Sequence, residues 1–171
     1  TSPDERLQGE LSALSGIQFY WTANGSHLVP TAQQALAQLP LDAVFARGLA
    51  WIFLSLGLQM IGDLPGALAA SQTSLQELDP TTRQIPAHRL LTVCFIHWIA
   101  ADLPALQQSV SHLLHLSNLY DLPFGTAGGH YFYGCMCYEQ NDLVAAEDHF
   151  MQVLQNRYLV NAQLVIHSIL G

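Results

Sequence analysis

The sequence predicts an all-α protein in which about four helix pairs stack on one another. The 171 residues are 50% hydrophobic and 11% charged, which indicates a packed globular chain rather than a disordered one. No apolar run reaches the roughly 18 to 20 residues that a membrane helix needs. Short polar breaks recur at spacings of 39, 39 and 40 residues, at Ala23-Asn24, Gly62-Asp63, Ala101-Asp102 and Asn141-Asp142. A period of this size is typical of repeat proteins.

The residues around each break repeat in register. Counted from the first residue of a break, the position seven before it is small: Gly16, Ser55, Cys94 and Gly134. The position thirteen after it is leucine: Leu36, Leu75, Leu114 and Leu154. The positions five and twelve after it are apolar or small: Leu28, Ala67, Leu106 and Ala146, then Ala35, Ser74, Leu113 and Val153. We therefore expect each unit to be a helix, a break and a second helix, with a close seam between the helices.

The breaks also carry the signals of a helix start. Asp63, Asp102 and Asp142 stand where an N-cap carboxylate accepts backbone N–H groups of the second helix. Pro65 and Pro104 follow within the first turn, where proline loses no hydrogen bond.

Turn-forming segments separate the units: Leu39-Pro40-Leu41-Asp42, Asp79-Pro80-Thr81-Thr82 and Asp121-Leu122-Pro123. They divide a single repeat domain, residues 1–171, into units at about 8–41, 42–83, 84–122 and 123–158, with a partial fifth unit at 159–171. A unit of this kind cannot bury its apolar face alone, so stability is expected to come from stacking.

These residues resemble the tetratricopeptide repeat. The second unit matches best, with Trp51, Leu54, Gly62-Asp63, Ala67 and Asp79-Pro80. The units are longer than the 34 residues usual in that family. The lengthened repeat is similar to the repeat region of LuxR-type, MalT-like transcription regulators, in the segments Arg47-Gly48-Leu49-Ala50, His97-Trp98, Tyr133-Gly134 and Tyr138-Glu139-Gln140-Asn141-Asp142-Leu143.

The resemblance implies a right-handed α-α superhelix, a tetratricopeptide-like solenoid, that acts as a non-enzymatic protein-interaction and effector-sensing module. Effector binding would promote self-association and transcription, and the DNA-binding domain would belong to the parent protein. The alternative is a structural oligomerisation scaffold with no small-molecule ligand.

In such stacks the first helix of each unit lines the concave surface. The positions shortly before each break then define a candidate groove: Tyr20, Trp21, Gln59, Met60, Phe95, Trp98, Tyr131, Tyr138 and Glu139. The same rule places Ala13 and Leu56 there. This aromatic, neutral to acidic surface fits an apolar peptide or a small neutral ligand such as a sugar. The competing interpretation is that several of these aromatic side chains pack against the adjacent unit.

Composition weighs against several other functions. The chain has no lysine and a formal charge of −8, which disfavours direct nucleic-acid binding, a P-loop and a lysine Schiff base. We expect no cofactor, no metal site despite His112, His115 and His130, and no catalytic residue. Three cysteines form no disulfide framework, and with no signal peptide or membrane span they indicate a cytoplasmic protein.

Overall fold

The computed structural model describes residues 2–77, 84–156 and 168–169, and the regular secondary structure in these ranges is entirely helical. They contain eight α-helices and no strand. In chain order these are α1 (Pro3–Trp21), α2 (Gly25–Gln38), α3 (Val44–Met60), α4 (Leu64–Gln76), α5 (Gln84–Ile99), α6 (Leu103–Tyr120), α7 (Pro123–Glu139) and α8 (Leu143–Gln155). The predicted all-α class and the four helix pairs are confirmed, whereas the handedness of the superhelix stays a prediction.

The four breaks adopt one geometry. The first residue of each has a positive φ: 51° at Ala23, 85° at Gly62, 55° at Ala101 and 61° at Asn141. The next residue donates its N–H to the carbonyl five positions back, at 2.9 to 3.0 Å. This is the Schellman arrangement, which satisfies carbonyls left free at a helix end.

The same breaks start the second helices. Asp63, Asp102 and Asp142 each accept a hydrogen bond from the N–H three residues later, at 2.9 to 3.2 Å. The predicted N-caps are therefore confirmed, and Asn24 acts in the same way on the N–H of His27. One short segment thus ends one helix and begins the next.

The first helix begins earlier than the predicted unit. The expected boundary was residue 8, but α1 starts at Pro3. The reason is a capping box, in which the Ser2 hydroxyl accepts the Glu5 N–H at 3.2 Å and the Glu5 carboxylate accepts the Ser2 N–H at 2.7 Å. Such reciprocal bonds satisfy two donors at a helix start.

Two compact units make up the chain, Thr1–Thr92 and Val93–Gly171, and their boundary falls inside α5. The prediction of one repeat domain over residues 1–171 stays a prediction. The linker at residues 79–82 and nearly all of the partial fifth unit lie outside the described residues.

The first unit has its core where the repeat register predicts it. Ala35, Leu28 and Ala67 are completely buried. Gly16 lies against Phe53 of α3 so closely that a Cβ there would collide with the phenyl ring. Leu36 is half-buried between two clusters of core residues, one around Ala50 and one around Phe53.

The second unit follows the same register. Leu106, Leu113 and Val153 are completely buried, and Ala146 is nearly so. A Cβ added at Gly134 would lie 2.6 Å from the Phe150 ring, so the small residue before the break admits a large one from α8. In the second unit this is the expected close seam between paired helices, whereas Gly16 of the first unit lies against α3, a helix of the next pair.

Candidate binding surfaces

Four of the candidate groove residues lie in the last turns of the first helices. Tyr20, Gln59, Trp98 and Tyr138 each lie three residues before the first residue of a break, in the last turn of α1, α3, α5 and α7. Their backbone carbonyls accept the N–H of that first residue at 2.9 to 3.0 Å. The Schellman caps therefore fix the backbone that carries these side chains.

The four candidates in the first unit are half-buried or exposed. Tyr20 packs on Phe53, with ring centroids 6.3 Å apart, and edge-on against Trp21 at 5.6 Å. Burial raises the pKa of the Tyr20 hydroxyl. Trp21 is 61% exposed and Met60 is 39% exposed, while Gln59 is half-buried. Trp21 is thus the most accessible aromatic ring of this set.

Three of the second unit's candidates are half-buried: Phe95, Trp98 and Tyr131. Tyr131 lies 6.3 Å from the Phe150 ring, measured between centroids. Burial, with a smaller contribution from Cys135, raises the pKa of the Tyr131 hydroxyl. This phenol stays neutral at physiological pH.

Tyr138 and Glu139 are exposed at the end of α7. Tyr138 lines a cleft of about 450 Å³ together with Leu143, Phe150, Met151 and Ile169 of the same unit. The cleft is of a size that holds a small ligand or a few peptide side chains. Its lining is mainly apolar and comes mostly from α8, and Tyr138 is the one groove candidate in it.

Two positions assigned to the groove by the same rule are wrong. Ala13 is 1% exposed and belongs to a core cluster with Ala35 and Ala50, and Leu56 is 7% exposed. The spacing from the break fails at these two positions because neighbouring helices cover α1 and α3 on more than one face. Residues outside the single predicted buried face are therefore buried as well. The nine candidate groove residues are all half-buried or exposed.

An ion pair that sequence reasoning missed joins three elements of the first unit. The Arg47 guanidinium donates to both carboxylate oxygens of Glu77, at 2.8 to 3.1 Å, and to the carbonyls of Leu36 and Leu39 at 3.0 and 2.8 Å. Trp51 Nε1 donates to the same carboxylate at 2.7 Å. The only local sign of this network in the sequence is that Arg47 and Trp51 lie four residues apart, and hence on one face of a helix.

The electrostatics of this network favour the charged carboxylate. Burial on its own would raise the pKa of Glu77, but hydrogen bonds from Arg47 and Trp51 outweigh it and hold the pKa below its ordinary value. Arg89 lies in the same unit and donates to the Ser74 carbonyl. We interpret the network as a set of polar contacts that holds α2, α3 and the end of α4 together.

A second polar cluster lies in the second unit. His130 Nδ1 and His149 Nδ1 are 3.0 Å apart, His149 stacks on Tyr133 with centroids 5.3 Å apart, and the Tyr133 hydroxyl lies 2.8 Å from Ser111 Oγ. Burial, followed by the neighbouring His149, lowers the pKa of His130. Within residues 2–77, 84–156 and 168–169, no three metal-ligating side chains converge.

The cysteine thiols are poor nucleophiles at neutral pH. Burial raises the pKa of Cys94 to about 12 and that of Cys135 to about 11. Burial also raises the pKa of Cys137, with Asp142 adding to the effect. An activated thiol needs the opposite shift.

None of the helices in the described part of the chain combines the length and the apolar character required to cross a bilayer. Comparisons of the chain with protein-family models, with curated proteins and with solved structures find no match.

Proposed function

We propose that this chain is a protein-interaction and effector-sensing repeat module, part of a LuxR-type transcription regulator. One observation carries the proposal. At the ends of the first helices, apolar and aromatic side chains recur in register and stay accessible, with Trp21, Met60 and Tyr138 39 to 61% exposed. Exposed apolar clusters on a folded protein are typical of binding surfaces.

The chemistry of the candidate surface favours an apolar peptide or a small neutral ligand. The nine candidates include six aromatic side chains, one methionine and one carboxylate, Glu139, but no cation. Aromatic faces pack against apolar groups and sugar rings, and Gln59 adds a neutral hydrogen-bonding group. By this proposal the module is non-enzymatic and cytoplasmic, and DNA binding belongs to another part of the regulator.

Thermal unfolding of the 171-residue chain tests the proposal. The panel consists of neutral oligosaccharides, nucleotides and short apolar peptides. A ligand that binds only the native state raises the midpoint, by about 2.7 kcal/mol of stability at a concentration one hundred times its Kd. No shift with any of the three classes would contradict the effector-sensing role.

Matched variants locate the response. Tyr138→Ala removes an exposed candidate ring, and Leu119→Ala removes an apolar side chain that is 64% exposed outside the candidate set. We expect the first variant to weaken the ligand-induced shift and the second to retain it. Trp98→Ala extends the test to α5, with circular dichroism to verify that the variant folds.

The alternative proposal, an oligomerisation scaffold, is favoured by the apolar stripe on α1. Leu7, Leu11 and Leu14 are each at least 50% exposed. A melting midpoint that rises with protein concentration, without any ligand response, would support the scaffold.

A further inference from the structure

Arg89 on α5 is a buried cation at a repeat position where α3 and α7 have small core residues. Counted twelve positions back from the first residue of each break, the residues are Leu11, Ala50, Arg89 and Gly129. Ala50 is completely buried, Gly129 is buried against Leu114, and Arg89 is 3% exposed. Burying a charge is unfavourable unless the charge is paired and hydrogen-bonded. Packing alone therefore does not explain an arginine at this position.

The Arg89 guanidinium lacks a counter-charge in contact with it. In the described part of the chain, its one hydrogen bond runs from Nη1 to the Ser74 carbonyl, while Nε has no acceptor and is shielded from solvent. No described carboxylate oxygen lies within 4.0 Å of its nitrogens. Burial lowers the pKa of Arg89, and the charge of Glu77 only partly opposes this. Because arginine stays protonated in proteins, an unpaired positive charge remains here.

The carboxylate of Glu77 is fully engaged by other donors. Its two oxygens accept four hydrogen bonds, three from Arg47 and one from Trp51. A carboxylate offers about four lone-pair positions, so these donors use its capacity. The pair of Arg47 and Glu77 is thus complete without Arg89. It also shows the arrangement that Arg89 lacks, a guanidinium that faces a carboxylate.

This unpaired cation lines a cavity of about 330 Å³ in the first unit. Arg47 and Glu77 also line the cavity, as one neutral pair, and Asp42 in its wall lies 3.5 Å from Arg6 at the surface. With these two pairs counted as neutral, Arg89 contributes one positive charge to the lining. The volume is in the range of small-ligand sites. None of the lining residues belongs to the candidate groove.

We propose that this Arg89 cavity binds a small monocarboxylate whose carboxylate group pairs with the Arg89 guanidinium. The two groups match in charge, planarity and hydrogen-bond geometry. One negative charge balances Arg89, whereas a phosphate dianion would in addition meet the carboxylates of Asp42 and Glu77. Leu41 and Val44 line the same cavity and provide apolar contacts for a short hydrocarbon part of the ligand. The site goes beyond the proposed function, which uses the candidate groove and a neutral or apolar ligand.

NMR of the arginine side chains tests the pairing directly. The chain has five arginines, so their Nε–H signals are few, and the signal missing in Arg89→Met is that of Arg89. Because Nε is shielded from solvent, its proton exchanges slowly enough to be observed. In a titration that replaces chloride by acetate at constant pH and ionic strength, we expect the Arg89 signal to shift and saturate. An Arg89 signal that does not respond to acetate overturns the proposal.

Thermal unfolding in the same acetate series assigns the affinity to Arg89. An anion that binds only the native state raises the melting midpoint. We expect the apparent Kd for acetate to be at least about tenfold weaker in Arg89→Met, because charged hydrogen bonds are lost. Gln108→Glu, at an exposed site on α6, changes the net charge by the same amount and should leave the response unchanged. Equal acetate responses in Arg89→Met and in the parent chain overturn the proposal.

Asp42→Asn keeps the test decisive if Arg89→Met does not fold. The Asp42 side chain is 74% exposed, so the substitution leaves the core intact. It removes a like charge from the wall of the cavity, and we expect acetate to bind about two- to fivefold more tightly, the effect of one partly screened charge. Acetate binding that is unchanged or weaker in Asp42→Asn places the anion elsewhere and overturns the proposal.

A comparison of anions tests the class of ligand. We expect butyrate to bind more tightly than acetate, because its added methylene groups contact Leu41 and Val44, and phosphate to bind more weakly than either. A preference for phosphate overturns the monocarboxylate assignment, and butyrate binding weaker than that of acetate overturns the apolar contacts. The response of the candidate groove to neutral ligands should persist in Arg89→Met. The two binding tests therefore fail or succeed independently.

Discussion

At the scale of single residues, the four breaks show how three residue types, alanine, glycine and asparagine, adopt one backbone geometry. Ala23, Gly62, Ala101 and Asn141 all hold φ between 51° and 85°. Glycine adopts this region without steric cost and asparagine with little, whereas an alanine Cβ approaches the following carbonyl oxygen and costs about 1 to 2 kcal/mol. The hydrogen bonds of the Schellman cap and of the adjacent N-cap offset that cost at Ala23 and Ala101.

Substitutions at the glycine and alanine positions should therefore change the free energy of unfolding in opposite directions. We expect Gly62→Ala to lower the free energy of unfolding by about 1 kcal/mol and Ala101→Gly to raise it by about 0.5 to 1 kcal/mol. Urea unfolding followed by circular dichroism measures both. Ala69→Gly, inside α4, is the control and should destabilise by about 1 kcal/mol, because glycine at a helical φ only adds unfolded-state entropy. A destabilised Ala101→Gly would mean that the left-handed geometry carries no strain.

At the scale of helices, the sequence predicts well those features that depend on residues close to one another in the chain. N-caps at Asp63, Asp102 and Asp142 involve partners three positions away, and the repeat register compares one unit with the next. Because the break occurs four times, both the N-caps and the repeat register can be recognised in the sequence. The positions of all eight helices follow from them, apart from the early start of α1 at Pro3.

Contacts between residues distant in sequence escape this reasoning. Arg47 and Glu77 are thirty positions apart, and nothing local says that α3 and the end of α4 bring them within 2.8 Å. The candidate groove stays a prediction, and Ala13 and Leu56, which the same rule assigns to it, are core residues. Helical spacing orders residues around an axis without showing how many sides its neighbours cover.

The Arg47 network gives the element-scale prediction. Arg47→Met leaves the Glu77 carboxylate and the Leu36 and Leu39 carbonyls without this donor in a largely buried position. We expect the variant to lose about 3 kcal/mol of stability, as when one member of a buried pair is removed. Differential scanning calorimetry compares it with Arg6→Met. Arg6 pairs with Glu10 and Asp42 at the surface, where solvent screens the charges, and its loss should leave the melting temperature nearly unchanged. Equal losses of stability in Arg47→Met and Arg6→Met would show that the Arg47 network does not stabilise the fold.

At the scale of the whole molecule, the hydrophobic half of the composition is divided among helix pairs instead of gathered in one long segment. Within each compact unit, small residues such as Gly16 and Gly134 pack against large side chains of another helix, which fits a chain with 50% hydrophobic and 11% charged residues. Repeat arrays of this kind are stabilised by nearest-neighbour interfaces, so the strength of each interface decides how much of the array unfolds together.

The boundary between the two compact units makes that cooperativity testable. Because α5 runs through the boundary at Thr92 and Val93, separating the units requires breaking the hydrogen bonds of a continuous helix. We expect one coincident unfolding transition by circular dichroism and by tryptophan fluorescence. Trp98→Phe leaves Trp21 and Trp51 as reporters of the first unit, and the double variant Trp21→Phe/Trp51→Phe leaves Trp98 for the second.

Proline at the boundary provides the decisive comparison. Val93→Pro removes a helical hydrogen bond and costs roughly 3 kcal/mol inside a helix, so the two tryptophan reporters should then unfold at different urea concentrations. Val93→Ala shortens the same side chain but keeps the helix, and its reporters should still coincide. Separate transitions in the unsubstituted chain would show that α5 does not couple the units, and that each behaves as an independent two-state body.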